Sequence, residues 1–117
     1  MLAIAVHGGA GRWLEAERDA AVEGARRAAA VGWRILESAG TALDAVAAAV
    51  VALEDDPLFN AGTGAVLNAE GEAELDASLM AGDTLASGGV TCIRRVRNPV
   101  LVARRVMEAT DCVLLAG

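Results

Sequence analysis

The stretch Leu53-Glu54-Asp55-Asp56-Pro57-Leu58-Phe59-Asn60-Ala61-Gly62-Thr63-Gly64-Ala65-Val66-Leu67-Asn68 leads from a helical pattern into a strand-like one through an acidic, glycine-rich loop. Pro57 stops helix from continuing through it. Backbone released from helix and sheet has carbonyls and N–H groups to offer a ligand, so this loop is a natural place for chemistry.

Upstream of the loop, the spacing predicts a helix from Thr41, capped by its hydroxyl with Asp44 three residues on. Leu43, Val46, Val50 and Leu53 form its expected inner stripe, with alanines between them suited to close approach to a sheet. A longer amphipathic helix is expected over about 15–39, with Val22, Ala25, Ala29, Trp33 and Leu36 inward and a Glu23–Arg27 pair outward. Gly40 is its expected C′ residue. Leu2 to Val6 reads as a short buried strand ending at His7-Gly8-Gly9-Ala10-Gly11.

Downstream, the period becomes two. Asn68-Ala69-Glu70-Gly71 turns the chain of an expected hairpin over 65–79, and Glu72, Glu74, Asp76 and Ser78 alternate with Ala73, Leu75, Ala77 and Leu79. Another strand is expected over 90–96. Asn98-Pro99 opens a helix with Asn as N-cap and Pro at its first position, its buried face being Val102, Val106 and Ala109. A last strand covers 112–115. Strands grouped after paired helices indicate layered α+β packing, not regular βαβ alternation. An end on strand and glycine reads as an interrupted domain.

Composition narrows the function classes. The chain has 117 residues, a formal charge of −6 and 3% aromatic residues, so its core must be built from Ala, Val and Leu. At about 25 cal/mol per Å² of apolar surface buried, such small side chains require close packing or a partner chain. All ten basic residues are Arg, and no basic patch interleaved with aromatics is present, which argues against nucleic acid. The run Arg94, Arg95, Arg97 reads as a solvated strand end or an ion pair. No apolar run approaches the roughly 20 residues of a membrane span. Cys92 and Cys112 lack CxxC spacing and read as buried free thiols in a reducing, cytoplasmic setting.

Several chemistries lack their residues. The turn at 7–11 has neither full GxGxxG spacing nor GK[ST], and His7, the single histidine, has no neighbours for a metal set. No GxSxG elbow, Ser-His-Asp set or Cys-His signature is present. Glu72, Glu74 and Asp76 read as the wet face of the hairpin before they read as a cation site. Asp55-Asp56 is open to two readings, a solvated turn or the flank of a carbonyl-lined cation site.

His7-Gly8-Gly9-Ala10-Gly11, the loop from Leu53 to Asn68, Glu74-Leu75-Asp76-Ala77-Ser78-Leu79-Met80 and Asn98-Pro99-Val100 together resemble, in order, segments of the plant-type L-asparaginases, or isoaspartyl peptidases. Ala81 departs from that pattern, where Asp often precedes the glycine. The resemblance implies an Ntn-hydrolase, an αββα four-layer sandwich of which residues 1–117 supply the N-terminal, α-subunit part. It implies self-cleavage before a threonine that begins a β subunit, the partner chain, and assembly as a dimer of αβ units. That threonine would attack the side-chain amide of L-asparagine or the β-aspartyl carbonyl of a dipeptide, with its own α-amino group as base, and water would release aspartate. No catalytic cofactor is implied. By the same resemblance Asn60 orients the nucleophile, Gly8 and Gly9 form a loop against it, and the backbone carbonyls of Leu53, Glu54, Asp56, Phe59, Ala61 and Thr63 hold a structural sodium ion. The nucleophile, oxyanion hole and carboxylate clamp fall outside this chain. The rival readings are a truncated, non-catalytic interaction domain and a glycosylasparaginase activity.

Overall fold

The computed structural model describes residues 1–117 as a slab with extents of 39 × 35 × 19 Å. Its elements run α1 (Glu15–Glu37), α2 (Ala42–Glu54), a single 3-10 turn (Gly62–Gly64), β1 (Leu75–Met80), β2 (Ser87–Ile93), α3 (Pro99–Ala109) and β3 (Leu114–Ala116). A thickness of 19 Å accommodates about two layers of secondary structure. This is a small α+β architecture, as the grouped strands indicated.

The helices fall close to their expected bounds, but their buried faces do not. Along α1 the buried residues are Ala21, Gly24, Ala28 and Gly32, while Val22 is 58% and Trp33 36% exposed. On α2 they are Ala45, Ala47, Ala49 and Glu54, while Val46 is exposed. The expected stripes of larger residues are thus displaced by small ones. The physical reason is proximity: a Cβ at Gly32 would lie 2.8 Å from the Ala45 carbonyl and would also strike Ile4. Only small side chains allow α1 and α2 to approach so closely, so they pack on each other and not on a sheet.

The ends of these helices also differ in detail. Thr41 caps α2 as expected, accepting the Asp44 N–H at 3.0 Å. Glu23 pairs with Arg26, not Arg27, at 2.7 Å. At the end of α1 the left-handed residue is Ala39, with φ 61°, and the N–H of Gly40 returns to the carbonyl of Ile35 at 2.8 Å. The C′ residue is therefore Ala39, and Gly40, expected there, sits one position beyond it. It is small because a Cβ there would meet the Ile35 side chain at 2.5 Å.

The sheet has the order β1-β2-β3, antiparallel then parallel. Leu75, Val90, Ile93, Ala103 and Val106 form the core between sheet and α3. On α3 the buried residues are Pro99, Val100, Ala103 and Val106, so Ala109 is not part of its inner face. No strand forms over Leu2–Val6 or before Asn68, so the expected first strand and the first arm of the hairpin stand outside the sheet. The turn at Asn68 does form, its N–H donating to the Glu72 carbonyl at 2.9 Å. β2 occupies Ser87–Ile93, earlier than expected, and β3 Leu114–Ala116 is exposed throughout. Both cysteines are exposed free thiols, contrary to the expected burial.

Of the acidic row, Glu72 and Glu74 stand exposed just ahead of β1 with their charges paired, and Asp76 lies on the wet face of β1. Arg94 binds Glu74 at 2.6 Å and also Glu72, which holds the Glu74 carboxyl below its ordinary range. Asp76 does something else. Between the pairs Leu75↔Ile93 and Ala77↔Val90 the strand β2 carries an extra residue, a bulge in which Cys92 adopts φ 53°. The Asp76 carboxylate accepts the Thr91 hydroxyl at 2.7 Å and the Cys92 N–H at 2.8 Å, and these bonds lower its pKa. A carboxyl lowered in the folded state stabilises the fold above its unfolded pKa and loses that contribution as pH falls through the folded one. The stability advantage of wild type over Asp76→Asn is therefore expected to shrink on acidification from about pH 6 to about pH 3, measured by urea melts. A difference constant across that range would remove the carboxylate from the bulge's support.

Candidate functional site

The loop after α2 winds back on itself. Gly62 takes φ +49°, and a Cβ there would lie 2.5 Å from the Glu54 carbonyl oxygen. At Gly64 a Cβ would lie 2.5 Å from the Pro57 carbonyl oxygen and would also strike that of Phe59. Two glycines thus permit the 3-10 turn to sit against the carbonyls of residues 54, 57 and 59. The Asp56 side chain braces the first bend, accepting the Leu58 N–H at 3.0 Å and Arg27 at 3.0 Å.

Two anchors fasten this loop to the rest of the molecule. The first is Glu54, 2% exposed, whose Oε1 accepts the Val100 N–H at 3.0 Å at the start of α3. Its Oε2 has no partner, and burial pushes its carboxyl pKa up. Next to it Asp55 receives Arg97 at 3.0 Å and the Asn98 side chain at 3.0 Å, so its carboxyl is held low by Arg97 and then Asn98. Asn98 occupies the N-cap position of α3 but makes no side-chain cap bond, because Glu54 from α2 takes that role.

The second anchor is Phe59, the one phenylalanine, 3% exposed. Its ring stands edge-on to Trp13, with centroids 5.8 Å apart and an interplanar angle of 78°. A Cβ at Gly8 would lie 2.6 Å from the ring, and one at Gly24 would lie 2.7 Å from it. The ring therefore fills the space between the glycine turn, α1 and Trp13.

These anchors bring His7-Gly8-Gly9 and Asn60 to one open cavity of about 470 Å³, lined also by Trp13, Leu53 and Phe59. Asn60 Oδ1 accepts the Val66 N–H at 3.0 Å, so its carboxamide Nδ2 remains available as a donor. Gly9 has φ +108° with open space where a side chain would stand. His7 Nδ1 accepts the Gly9 N–H at 3.2 Å, which makes it part of the turn's own bracing. Gly8 and Gly9 meet Asn60 here, residues singled out from the sequence although Asn60 stands 51 positions after Gly9. The Glu54 side chain, the Phe59 ring and Trp13 were not foreseen. A signal existed for Glu54, which stands seven residues after the buried Ala47 and so on the same helical face.

The asparaginase family model matches residues 1–117 from end to end. This chain belongs to the asparaginase family. Among its relatives, the plant-type L-asparaginase of Thermococcus kodakarensis is 56% identical over 118 residues, covering 100% of this chain and 38% of that protein. The corresponding enzyme of Pyrococcus furiosus shows the same figures. The isoaspartyl peptidase/L-asparaginase of Homo sapiens is 51% identical over 108 residues, covering 92% of this chain and 35% of that protein. This asparaginase-family chain thus spans little more than a third of the length of the curated relatives it matches.

No group of three or more His, Cys, Asp or Glu side chains in this family member is placed to hold a metal ion. Carbonyl oxygens are the remaining donor set. Leu53, Asp56, Phe59 and Ala61 each accept one backbone N–H through their carbonyls, at 2.8–3.3 Å, which leaves a lone pair on each. With Glu54 and Thr63 they make a hard, all-oxygen set on one curled loop, chemistry that suits an alkali or alkaline-earth cation. No helix is long and apolar enough to cross a membrane.

Proposed function

We propose that this chain is the α-subunit portion of a self-processed amidohydrolase that hydrolyses L-asparagine, β-aspartyl dipeptides, or both, releasing aspartate. The observation that carries this reading is the convergence of Gly8, Gly9 and Asn60 on one cavity in a chain 56% identical along its whole length to a plant-type L-asparaginase. In this reading the nucleophile is a threonine at the start of a β subunit cut from the same precursor. Its hydroxyl attacks the side-chain carbonyl while its α-amino group takes the proton. Asn60 Nδ2 donates toward the threonine hydroxyl and orients it, with Oδ1 already held by Val66. The glycine turn contributes close backbone approach at Gly8 and Gly9, where side chains would obstruct the nucleophile.

The same reading places the slab as one α layer and part of one β layer of an αββα sandwich. Its support is the exposed β3 strand and the unladdered segment Leu2–Val6, both of which leave backbone groups for further strands. Assembly as a dimer of αβ units and a cytoplasmic location, which suits two exposed free thiols, belong to this reading as well. Intact-mass analysis with N-terminal sequencing of the native gene product tests it. A second chain beginning with threonine, and aspartate release by the complex, is the expected result. A single uncleaved species without activity on either substrate would leave a non-catalytic interaction domain.

The backbone carbonyls of Leu53, Glu54, Asp56, Phe59, Ala61 and Thr63 would hold a sodium ion on this loop. It serves structure and takes no part in bond breaking. Replacing sodium chloride by choline chloride at equal ionic strength is expected to lower the melting temperature by several degrees, on the order of 1–2 kcal/mol. Equal melting temperatures in the two salts would remove the ion.

A further inference from the structure

We propose that Phe59 is a positioning residue for the amide-hydrolysis reaction, its ring setting the separation between the Gly8–Gly9 turn and Asn60; this rests on the amidohydrolase reading above. Three observations converge. The ring is the nearest neighbour of both Gly8 and Gly24, which have no side chains of their own to hold the turn against α1. It is 3% exposed and stands edge-on to Trp13 at 5.8 Å, so it cannot rotate away without opening a void. It is also bonded through the backbone to Asn60, whose Oδ1 is tied to Val66 at 3.0 Å. One side chain therefore couples two loops that otherwise share no hydrogen bond between Gly8 or Gly9 and Asn60.

The coupling is steric. The Gly8–Gly9 turn has no ladder on either side, and its one cross-link is the local His7–Gly9 bond. Trimming the ring leaves room for the turn to move toward α1. A shift of about 1 Å at a group that orients a nucleophile can cost on the order of 100-fold in rate. Remote contacts to substrate are untouched, so substrate binding should change little.

The test uses the full-length, self-processed enzyme, with L-asparagine and a β-aspartyl dipeptide as substrates. Phe59→Leu is expected to lower kcat by about 10-fold or more while KM stays within about 2-fold. Rates are counted per processed chain at a temperature well below the variant's melting point, so lost stability does not register as lost kcat. Trp13→Leu, which frees one side of the ring at a half-buried position, is expected to lower kcat in the same direction by a smaller factor. If Phe59→Leu does not fold, the Trp13→Leu result decides. Unchanged kcat with a lowered melting temperature would reduce Phe59 to core packing and overturn the proposal, leaving the amidohydrolase reading intact. A processed wild-type enzyme inactive on both substrates would overturn both.

Discussion

Gly64→Ala is expected to lower the free energy of unfolding by about 3 kcal/mol or more. The added methyl would collide with two backbone carbonyls at once, those of Pro57 and Phe59. The Phe59 carbonyl cannot turn aside without losing the Ala61 N–H that it accepts at 2.8 Å. Relief requires unwinding the 3-10 turn, which also displaces the carbonyl set assigned to a cation and the Asn60–Val66 bond. The variant should therefore lose both stability and the effect of exchanging sodium for choline. Gly82→Ala is the matched control, since nothing lies within 4 Å of a Cβ at Gly82. It should stay within about 0.5 kcal/mol of wild type. Urea melts of the two variants check this, and equal midpoints would mean that the loop is far more compliant than its packing indicates.

Glu54→Ala is expected to be the other severe change, at about 3 kcal/mol. It removes a side chain that is 2% exposed, leaves a void behind it, and strands the Val100 N–H without an acceptor. Glu54→Gln keeps an oxygen for that N–H and nearly the same volume, so it should cost no more than about 1 kcal/mol. The contrast separates two roles. A large loss for both variants would mean that the charge itself stabilises the fold, despite the unpartnered Oε2. A small loss for both would mean that α3 does not depend on this cap. The ordering Ala far worse than Gln is the one that a hydrogen-bonded tether predicts, measured as melting temperature and as the protection of the Val100 amide from hydrogen exchange.

Much of the candidate site was legible in the residues. The Pro57 break, the glycines at 62 and 64, the Thr41 cap and Pro99 at the first position of α3 are local devices that act within a few residues, and each lies where the chain indicated, whereas the expected Asn98 side-chain cap does not form. The alternation survived along β1, where Asp76, Ser78 and Met80 are exposed between better-buried residues, because a period of two follows from strand geometry alone; its first part, Glu72 and Glu74, lies ahead of the strand. The helical faces did not survive in the same way. A stripe of Val22, Ala25, Ala29, Trp33 and Leu36 satisfies the helical period, but so does the stripe of Ala21, Gly24, Ala28 and Gly32 beside it. Hydropathy favours the larger residues, and periodicity cannot say that the neighbour lies too close to admit them. The buried Glu54 was missed for a related reason. In Leu53-Glu54-Asp55-Asp56 three acids stand in a row, and what sets their environments apart is Val100 for Glu54, Arg97 and Asn98 for Asp55, and Arg27 for Asp56.

The amino-acid order alone therefore settled the three helices, the break between α2 and the strands, and the family to which these motifs belong, because turns, caps and periods are properties of neighbouring residues. It was tertiary packing that decided which face of each helix is buried and that brought Gly8, Gly9 and Asn60 to one cavity. Packing likewise gave the cap of α3 to Glu54 in place of Asn98. Those outcomes depend on distances between segments tens of residues apart. Such distances follow from how closely small side chains let backbones approach, not from the hydropathy of any single position.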